Sequence, residues 1–295
     1  MEAYIKSLFI DASNSFYRIK KYKIGDFFGP VDLGLHFAAR QRSLNFGTGL
    51  LAGSIFPGSN RLIVSGFSPC WGGFYISTMG GAGLVFDNLG INTLSLVGKA
   101  AQPSILYVNR DHGEELDIEI APINLLDIWR SNEGGFYALH QYVMDNYMSR
   151  YQNDPRIIAT GPASLYTDFG ALGSIPIENG CLTHADTWAG RGGFGSKMLQ
   201  EHNIAALIYG GTFIDEDFRD RKVADFWFEE KYQQKLLIKD YEATAKYRFE
   251  KKFETGGTLG VNYASVGKKL IAFNYRSIYM TEEQRLKIHK NLIVD

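Results

Sequence analysis

The strongest constraint in this chain is a glycine pattern that repeats at an offset of 112 residues. Thr48-Gly49 falls on Thr160-Gly161, Gly80-Gly81-x-Gly83 on Gly192-Gly193-x-Gly195, and Gly98 on Gly210. Between the last pairs each copy reads alike: a GGxG turn, a short helix-like run (84–89, 196–202), then a strand (93–98, 205–210). A true repeat keeps element order as well as letters. The expectation is a domain of two similar halves related by a pseudo-twofold axis, each with a glycine turn opening a helix. There the first amides lack an intrahelical partner, and glycine admits a close ligand. The helix end favours an anion by about 0.3–1 kcal/mol. Two such nests suit a ligand with two phosphates held apart, or two ligands with one each.

Local patterns fit a β-rich domain. Runs 4–11, 61–67, 74–78, 93–98, 104–109, 116–121, 156–161 and 205–210 are rich in β-branched and aromatic residues and are often bounded by Gly, Pro or Asn. Phe136, Leu139, Tyr142, Val143 and Tyr147 recur at helical spacing and predict a helix over 136–150. After Gly211 the composition shifts. Residues 213–252 mix acidic and basic side chains with scattered apolar ones, as exposed helices or a connecting arm do. "ETGGTLGVNY" (254–263) reads as a glycine-rich loop, and Thr281-x-x-Gln284 as a capping box opening a helix over 282–292. No helix stop signal precedes Asp295, so a cut chain is expected there. The division predicted is 1–211 and 212–295.

Several function classes are disfavoured. A formal net charge of −1 gives little basis for nucleic-acid binding by counterion release. No apolar run reaches the roughly 18 residues of a membrane span, and "MEAYIKSLFIDASNS" lacks the pattern of a signal peptide. A cytoplasmic protein is expected. The two cysteines, Cys70 and Cys181, form no CxxC and are expected as buried structural thiols. No histidine lies three or four residues from another, so no metal ligand set is assigned.

"AGRGGFG" contains G-x-G-x-x-G at Gly190, Gly192 and Gly195. A dinucleotide loop, another anion cradle and a plain turn are all readings of it. A dinucleotide loop needs an apolar strand running into its first glycine. Here "GCLTHADTWA" precedes it, which is polar and turn-like. P-loop and GxSxG motifs are absent.

The blocks "GPVDLGLHFA", "GSIFPGSNRL", "STMGGAG", "GPASLYTDFGAL" and "WAGRGGFGS" together resemble the N-terminal part of the tungstopterin aldehyde:ferredoxin oxidoreductases. "GGFYALHQYVMD", "EHNIAALIYGG", "TGGTLGVNY" and "EEQRLKIHK" are similar to the branch that oxidises glyceraldehyde 3-phosphate. The resemblance implies an α+β fold with two similar β-rich halves forming a cofactor platform, followed by a partial helical region. It implies a tungsten or molybdenum ion held by two pterins, whose phosphates are bridged through magnesium. On this reading "AGRGGFG" is the second-half pterin cradle.

Carried over by motif, Arg61 stands where the family arginine contacts a pterin. Ser77, Met79, Gly80 and Gly81 belong to the first cofactor loop. Thr187, Trp188, Ala189, Gly190, Arg191, Gly192 and Gly193 belong to the second. Two positions depart from the pattern: many members have Asn where Ser77 stands and Arg where Thr187 stands. Backbone contacts survive such changes, whereas charge pairing at Thr187 does not. Guanidinium groups at Arg61 and Arg191 suit bidentate phosphate contacts. The family's CxxCxxxC motif and distant cysteine, which bind a [4Fe–4S] cluster, lie C-terminal to the matched region. The resemblance therefore implies a platform completed by C-terminal domains or a separate subunit, with an aldehyde as substrate and ferredoxin as partner. A non-catalytic pterin-binding or interaction protein is the alternative, and a nucleotide-dependent enzyme a third reading.

Overall fold

The computed structural model describes residues 4–214, except 55, 57, 112–114, 132, 133 and 184, together with 221–236, 238, 279–289 and 291. They fall into two compact units, Met1–Asp220 and Arg221–Asp295.

The first half of unit one runs β1 (Tyr4–Asp11), β2 (Phe16–Lys23), α1 (Pro30–Gln41), β3 (Leu44–Gly47), β4 (Leu62–Phe67), β5 (Phe74–Met79), α2 (Ala82–Asp87) and β6 (Thr93–Val97). The second runs β7 (Ser104–Arg110), β8 (Asp117–Pro122), α3 (Leu125–Arg130), α4 (Gly135–Tyr147), β9 (Arg156–Thr160), α5 (Ala163–Tyr166), β10 (Leu172–Ser174), β11 (Ile177–Glu178), β12 (Cys181–Leu182), β13 (Thr187–Ala189), α6 (Phe194–Ser196) and β14 (Ile204–Gly211). Each half builds one six-stranded sheet, and the orders match: β2-β1-β6-β3-β4-β5 against β8-β7-β14-β9-β10-β13. The directions match too. In each sheet only one neighbouring pair is parallel, β1 with β6 and β7 with β14. The repeat read from glycines is thus a repeat of topology, in a mixed α+β fold.

Alternation along the strands sorts their side chains into layers. Leu8, Leu44 and Leu94 of the first sheet share one apolar core with Leu106, Ile158 and Leu207 of the second. The outer face of the second sheet packs Ile105, Ile157 and Ile208 against Leu125, Leu139 and Val143 of α3 and α4. The helix expected over 136–150 is α4 plus a 3₁₀ turn, Met148–Arg150, and its apolar stripe faces this core. On the outer face of the first sheet, Ile5 and Phe9 pack against Leu33 and Phe37 of α1. Beside them lies a buried polar cluster. Asn45 Nδ2 donates to Gly34 O at 3.2 Å, and Ser43 and Ser95 hydroxyls donate to Asn45 Oδ1 at 2.9 and 2.7 Å. Gly34 makes this approach feasible, because a Cβ there would strike Ser65 Oγ.

All eight expected strands are present, and each half adds elements that patterning did not reveal. The cysteine expectation is corrected: Cys70 is only partly buried and Cys181 is exposed. Cys181 lies in a two-residue strand of a small hairpin with β11, a setting too small to enclose it.

In unit two, α7 (Arg221–Tyr232) carries an aromatic cluster in which Trp227 and Tyr232 flank Phe228. The capping box is present at the start of α8 (Glu282–His289): Thr281 N donates to Gln284 Oε1 at 2.9 Å, and Gln284 N to Thr281 Oγ1 at 3.3 Å. The glycine loop 254–263 lies outside the described residues.

Candidate cofactor site at the junction of the two sheets

β5 and β13 are the equivalent edge strands of their sheets, and each runs directly into its glycine loop. The loops have the same local form. Gly81 (φ 72°) and Gly193 (φ 67°) are left-handed N-caps of α2 and α6, a conformation that glycine adopts without steric cost. Two residues on, each loop presses against the residues that lead into the neighbouring strand, β4 and β10. A Cβ on Gly83 would meet Asn60 O at 2.9 Å, and one on Gly195 would collide with Ala171 O. The Gly83 amide donates to Asn60 O at 3.2 Å and the Gly195 amide to Gly170 O at 2.8 Å.

The two loops meet. Gly80 N donates to Thr187 Oγ1 at 3.1 Å. A Cβ on Gly192 would lie 2.8 Å from Tyr75 Cδ1. Tyr209 of β14 reaches across as well, donating its hydroxyl to Ala82 O at 2.9 Å, with its ring against Phe86. Burial pushes the Tyr209 phenol well above its usual range, against the opposing charge of Arg156, so it stays a neutral donor.

The expected site residues divide by exposure. Gly81 and Gly190 are exposed, and nothing lies within 4 Å of the place a Cβ would take. Arg61 and Arg191 are exposed too. Arg61 reaches Thr78 Oγ1 at 3.4 Å, and neither arginine forms an ion pair among the described residues. Thr187 and Gly80 are half-buried and joined. Met79 and Ala189 are fully buried, with side chains in the shared core, so any ligand contact from them is through backbone. Ser77 is buried on the same strand face as Met79. Trp188 lays its half-exposed ring on Phe136, centroids 4.4 Å apart. Gly192 and Gly193 are buried; behind Gly193 stand Asp168 O, Cys70 Sγ and Pro69.

This sharpens the nest reading. The amides of Gly80, Gly83, Gly195 and Ser196 are spent inside the protein. α2 has six residues, and α6 has three before a π-helical turn, Lys197–Glu201. Helices this short supply little macrodipole. Attraction for an anion rests on the two guanidinium groups and on the open backbone at Gly81 and Gly190. Those features fit a ligand with two separated phosphates: open glycine where backbone must approach, and an unpaired cation beside each opening. They do not fit a dinucleotide loop. β13 has three residues and pairs antiparallel with β10, so no parallel strand feeds Gly190.

Tyr75, Tyr209 and the Cys70–Asp168 support were missed from sequence. Tyr75 was within reach, since it stands 112 residues before Thr187. A separate cleft of about 440 Å³ lies by Tyr107, Asn109 and Arg150. Its guanidinium is already taken by Glu119 at 2.8 Å and stacks on Tyr107 at 3.7 Å.

Comparison with known proteins decides the family. The profile for aldehyde ferredoxin oxidoreductase, N-terminal domain, matches residues 16–211. This chain belongs to the aldehyde ferredoxin oxidoreductase family. It is 40% identical over 259 residues to glyceraldehyde-3-phosphate:ferredoxin oxidoreductase of Pyrococcus furiosus, covering 83% of this chain and 39% of that protein. It is 32% identical over 249 residues to an uncharacterised protein of Methanocaldococcus jannaschii, covering 84% of this chain and 38% of that one. The chain thus spans about two fifths of the length of these relatives. The active-site complex BamBC of benzoyl coenzyme A reductase, solved with 1,5-dienoyl-CoA, shares the fold with a TM-score of 0.55 at 20% identity, over 70% of this chain and 30% of that one. Both loops lie inside the matched region. No helix among the described residues is long and apolar enough to cross a membrane.

Proposed function

We propose that this chain is the cofactor platform of a tungsten or molybdenum bis-pterin oxidoreductase that oxidises an aldehyde, glyceraldehyde 3-phosphate, to its acid, with ferredoxin as acceptor. The observation that carries this reading is the convergence of two equivalent glycine loops at the sheet edges, each with an exposed, unpaired arginine, in a chain of this family. The substrate and acceptor follow the printed name of the Pyrococcus relative.

When bound, the metal with its two pterins supplies the redox chemistry, and the protein supplies binding and orientation. Arg61 and Arg191 would hold the pterin phosphates, and magnesium would help to neutralise their charge. Open backbone at Gly81 and Gly190 lets the cofactor approach closely, while Met79 and Ala189 anchor the loops in the core. The complete enzyme adds a [4Fe–4S] cluster from C-terminal domains or a partner subunit, since the two cysteines here, Cys70 and Cys181, are far apart in sequence.

The test is to purify the chain and assay released tungsten, molybdenum, pterin and nicotinamide. Two pterins per metal are expected. Arg61→Ala with Arg191→Ala should lower pterin content roughly tenfold or more, as lost charge-assisted contacts do. Stability should change by under about 0.5 kcal/mol, because both side chains are exposed. Pterin without redox activity beside its C-terminal partner would identify a binding protein. Bound NAD, or full loading in the double variant, would overturn the assignment.

A further inference from the structure

The contacts that hold the two loops cross between the halves. Thr187, the first residue of β13, accepts the Gly80 amide at 3.1 Å. Tyr75, the second residue of β5, stands 2.8 Å from where a Gly192 Cβ would be. Under the offset of 112, Gly80 corresponds to Gly192 and Tyr75 to Thr187. The two contacts are therefore one contact made twice: the first glycine of each loop leans on the edge strand of the other half. The chemistry differs between copies. Thr187 uses a hydroxyl, and Tyr75 uses its ring face or edge against bare backbone.

We infer that Thr187 and Tyr75 are positioning residues that lock the two glycine loops to each other, so that neither loop takes its ligand-ready form without the other half. Thr187 then acts through the Gly80 amide and not as a direct cofactor contact. Tyr75 performs the same duty by packing, and Gly192 is required because a side chain there would push the tyrosine out. The coupling also suits a ligand gripped at two points, since a loop displaced on one side shifts the grip on the other. The inference rests on the cofactor reading above for its consequence, and on the apoprotein geometry for its existence.

Both parts are tested on the whole chain. Amide hydrogen exchange, read by mass spectrometry without cofactor, should show segment 80–86 exchanging roughly tenfold faster in Thr187→Val, the scale of one lost hydrogen bond. Thr187→Ser should restore the wild-type rate. Tyr75→Ala should speed exchange in 190–196, and Tyr75→Phe, which keeps the ring, should not. The response expected is in the half that was not mutated; local loosening would instead appear around the altered strand. In the loaded protein, pterin content should fall several-fold in Thr187→Val and recover in Thr187→Ser, about as one lost hydrogen bond allows. Exchange changes confined to the mutated half would overturn the brace. So would unchanged pterin content in Thr187→Val when the wild type is loaded. Variants that show the cross-half exchange, with a wild-type chain that holds no pterin, would sink the cofactor assignment and leave the brace standing.

Discussion

The two halves share a strand order and differ in how each sheet is covered. The second sheet presents Ile105, Ile157 and Ile208 to α3 and α4, an apolar face under an apolar stripe. The first presents Ser7, Asn45, Thr93 and Ser95 among its buried residues, tied by side-chain hydrogen bonds and covered by α1, while Ser65 offers only its carbonyl O, which accepts from Asn45 Nδ2 at 3.2 Å. One topology is thus held by two chemistries. Burial of apolar area stabilises one cover roughly in proportion to area. The other cover adds, to the apolar contacts of Ile5, Phe9, Leu33 and Phe37, a polar network that relies on its hydrogen bonds. The loops diverge in the same way: Gly81 is open to solvent, whereas Gly193 is shut behind Asp168, Cys70 and Pro69.

The loop difference gives the largest expected effect. Gly193→Val adds a side chain at positive φ where Asp168 O and Cys70 Sγ already stand. It should cost about 4 kcal/mol or more, or prevent folding. Gly81→Ala, also at positive φ but in open space, should cost only about 1–2 kcal/mol. Urea midpoints on the two variants measure this, and equal shifts would show that the loops are equally filled. The covers give the next effect. Leu139→Ala in α4 should lose about 2–5 kcal/mol. Asn45→Ala should lose about 1–3 kcal/mol, because Ser43, Ser95 and Gly34 O are left without their partner. A variant replacing Asn45, Ser43 and Ser95 together by apolar residues of similar size should recover part of that loss, which no change at Leu139 can imitate.

The smallest effect is a pH dependence centred on His140 of the second half. His140 lies in α4, fully buried, and accepts from Ile175 N at 3.2 Å. Burial, with some opposition from a backbone hydrogen bond, lowers its pKa from 6.5 to about 3. The unfolded ring takes up a proton as pH falls through 6.5, while the folded ring stays neutral until about 3. Its contribution is complete above pH 6.5 and is lost as pH falls through that window. His140→Gln should flatten unfolding free energy against pH there by up to about 1.4 kcal/mol per pH unit. An unchanged slope would mean that the ring protonates in the fold.

Much of this is legible in the sequence. α4 announced itself because its core-facing residues are apolar at helical spacing. α1 carries a similar signal, with Leu33, Phe37 and Ala38 buried at helical spacing, but Gly29, Pro30 and Gly34 interrupt it. In β3 and β6, Leu-Asn-Phe and Thr-Leu-Ser-Leu alternate as a strand with one face in water would. Only tertiary pairing turns those polar residues into a buried network. The glycine echo located both loops, but the letters did not carry equal meaning. Gly98 is at φ 67° against Asp11, while its counterpart Gly210 lies inside β14 to make room for the Tyr151 ring. Exposed Arg61 and Arg191 stand in family motifs, whereas only the offset of 112 from Thr187 points to Tyr75.

The sequence by itself determined the repeat, eight of the strands, the capping box of α8 and the position of each glycine loop. These follow from local backbone preference and from periodicity, which act over a few residues. The tertiary structure decided which glycines face outward, which amides remain for a ligand, and that Thr187 and Tyr75 hold the loop of the opposite half. Those facts depend on contacts between residues about a hundred positions apart in the chain, and no local preference encodes which of two similar loops will be filled from behind.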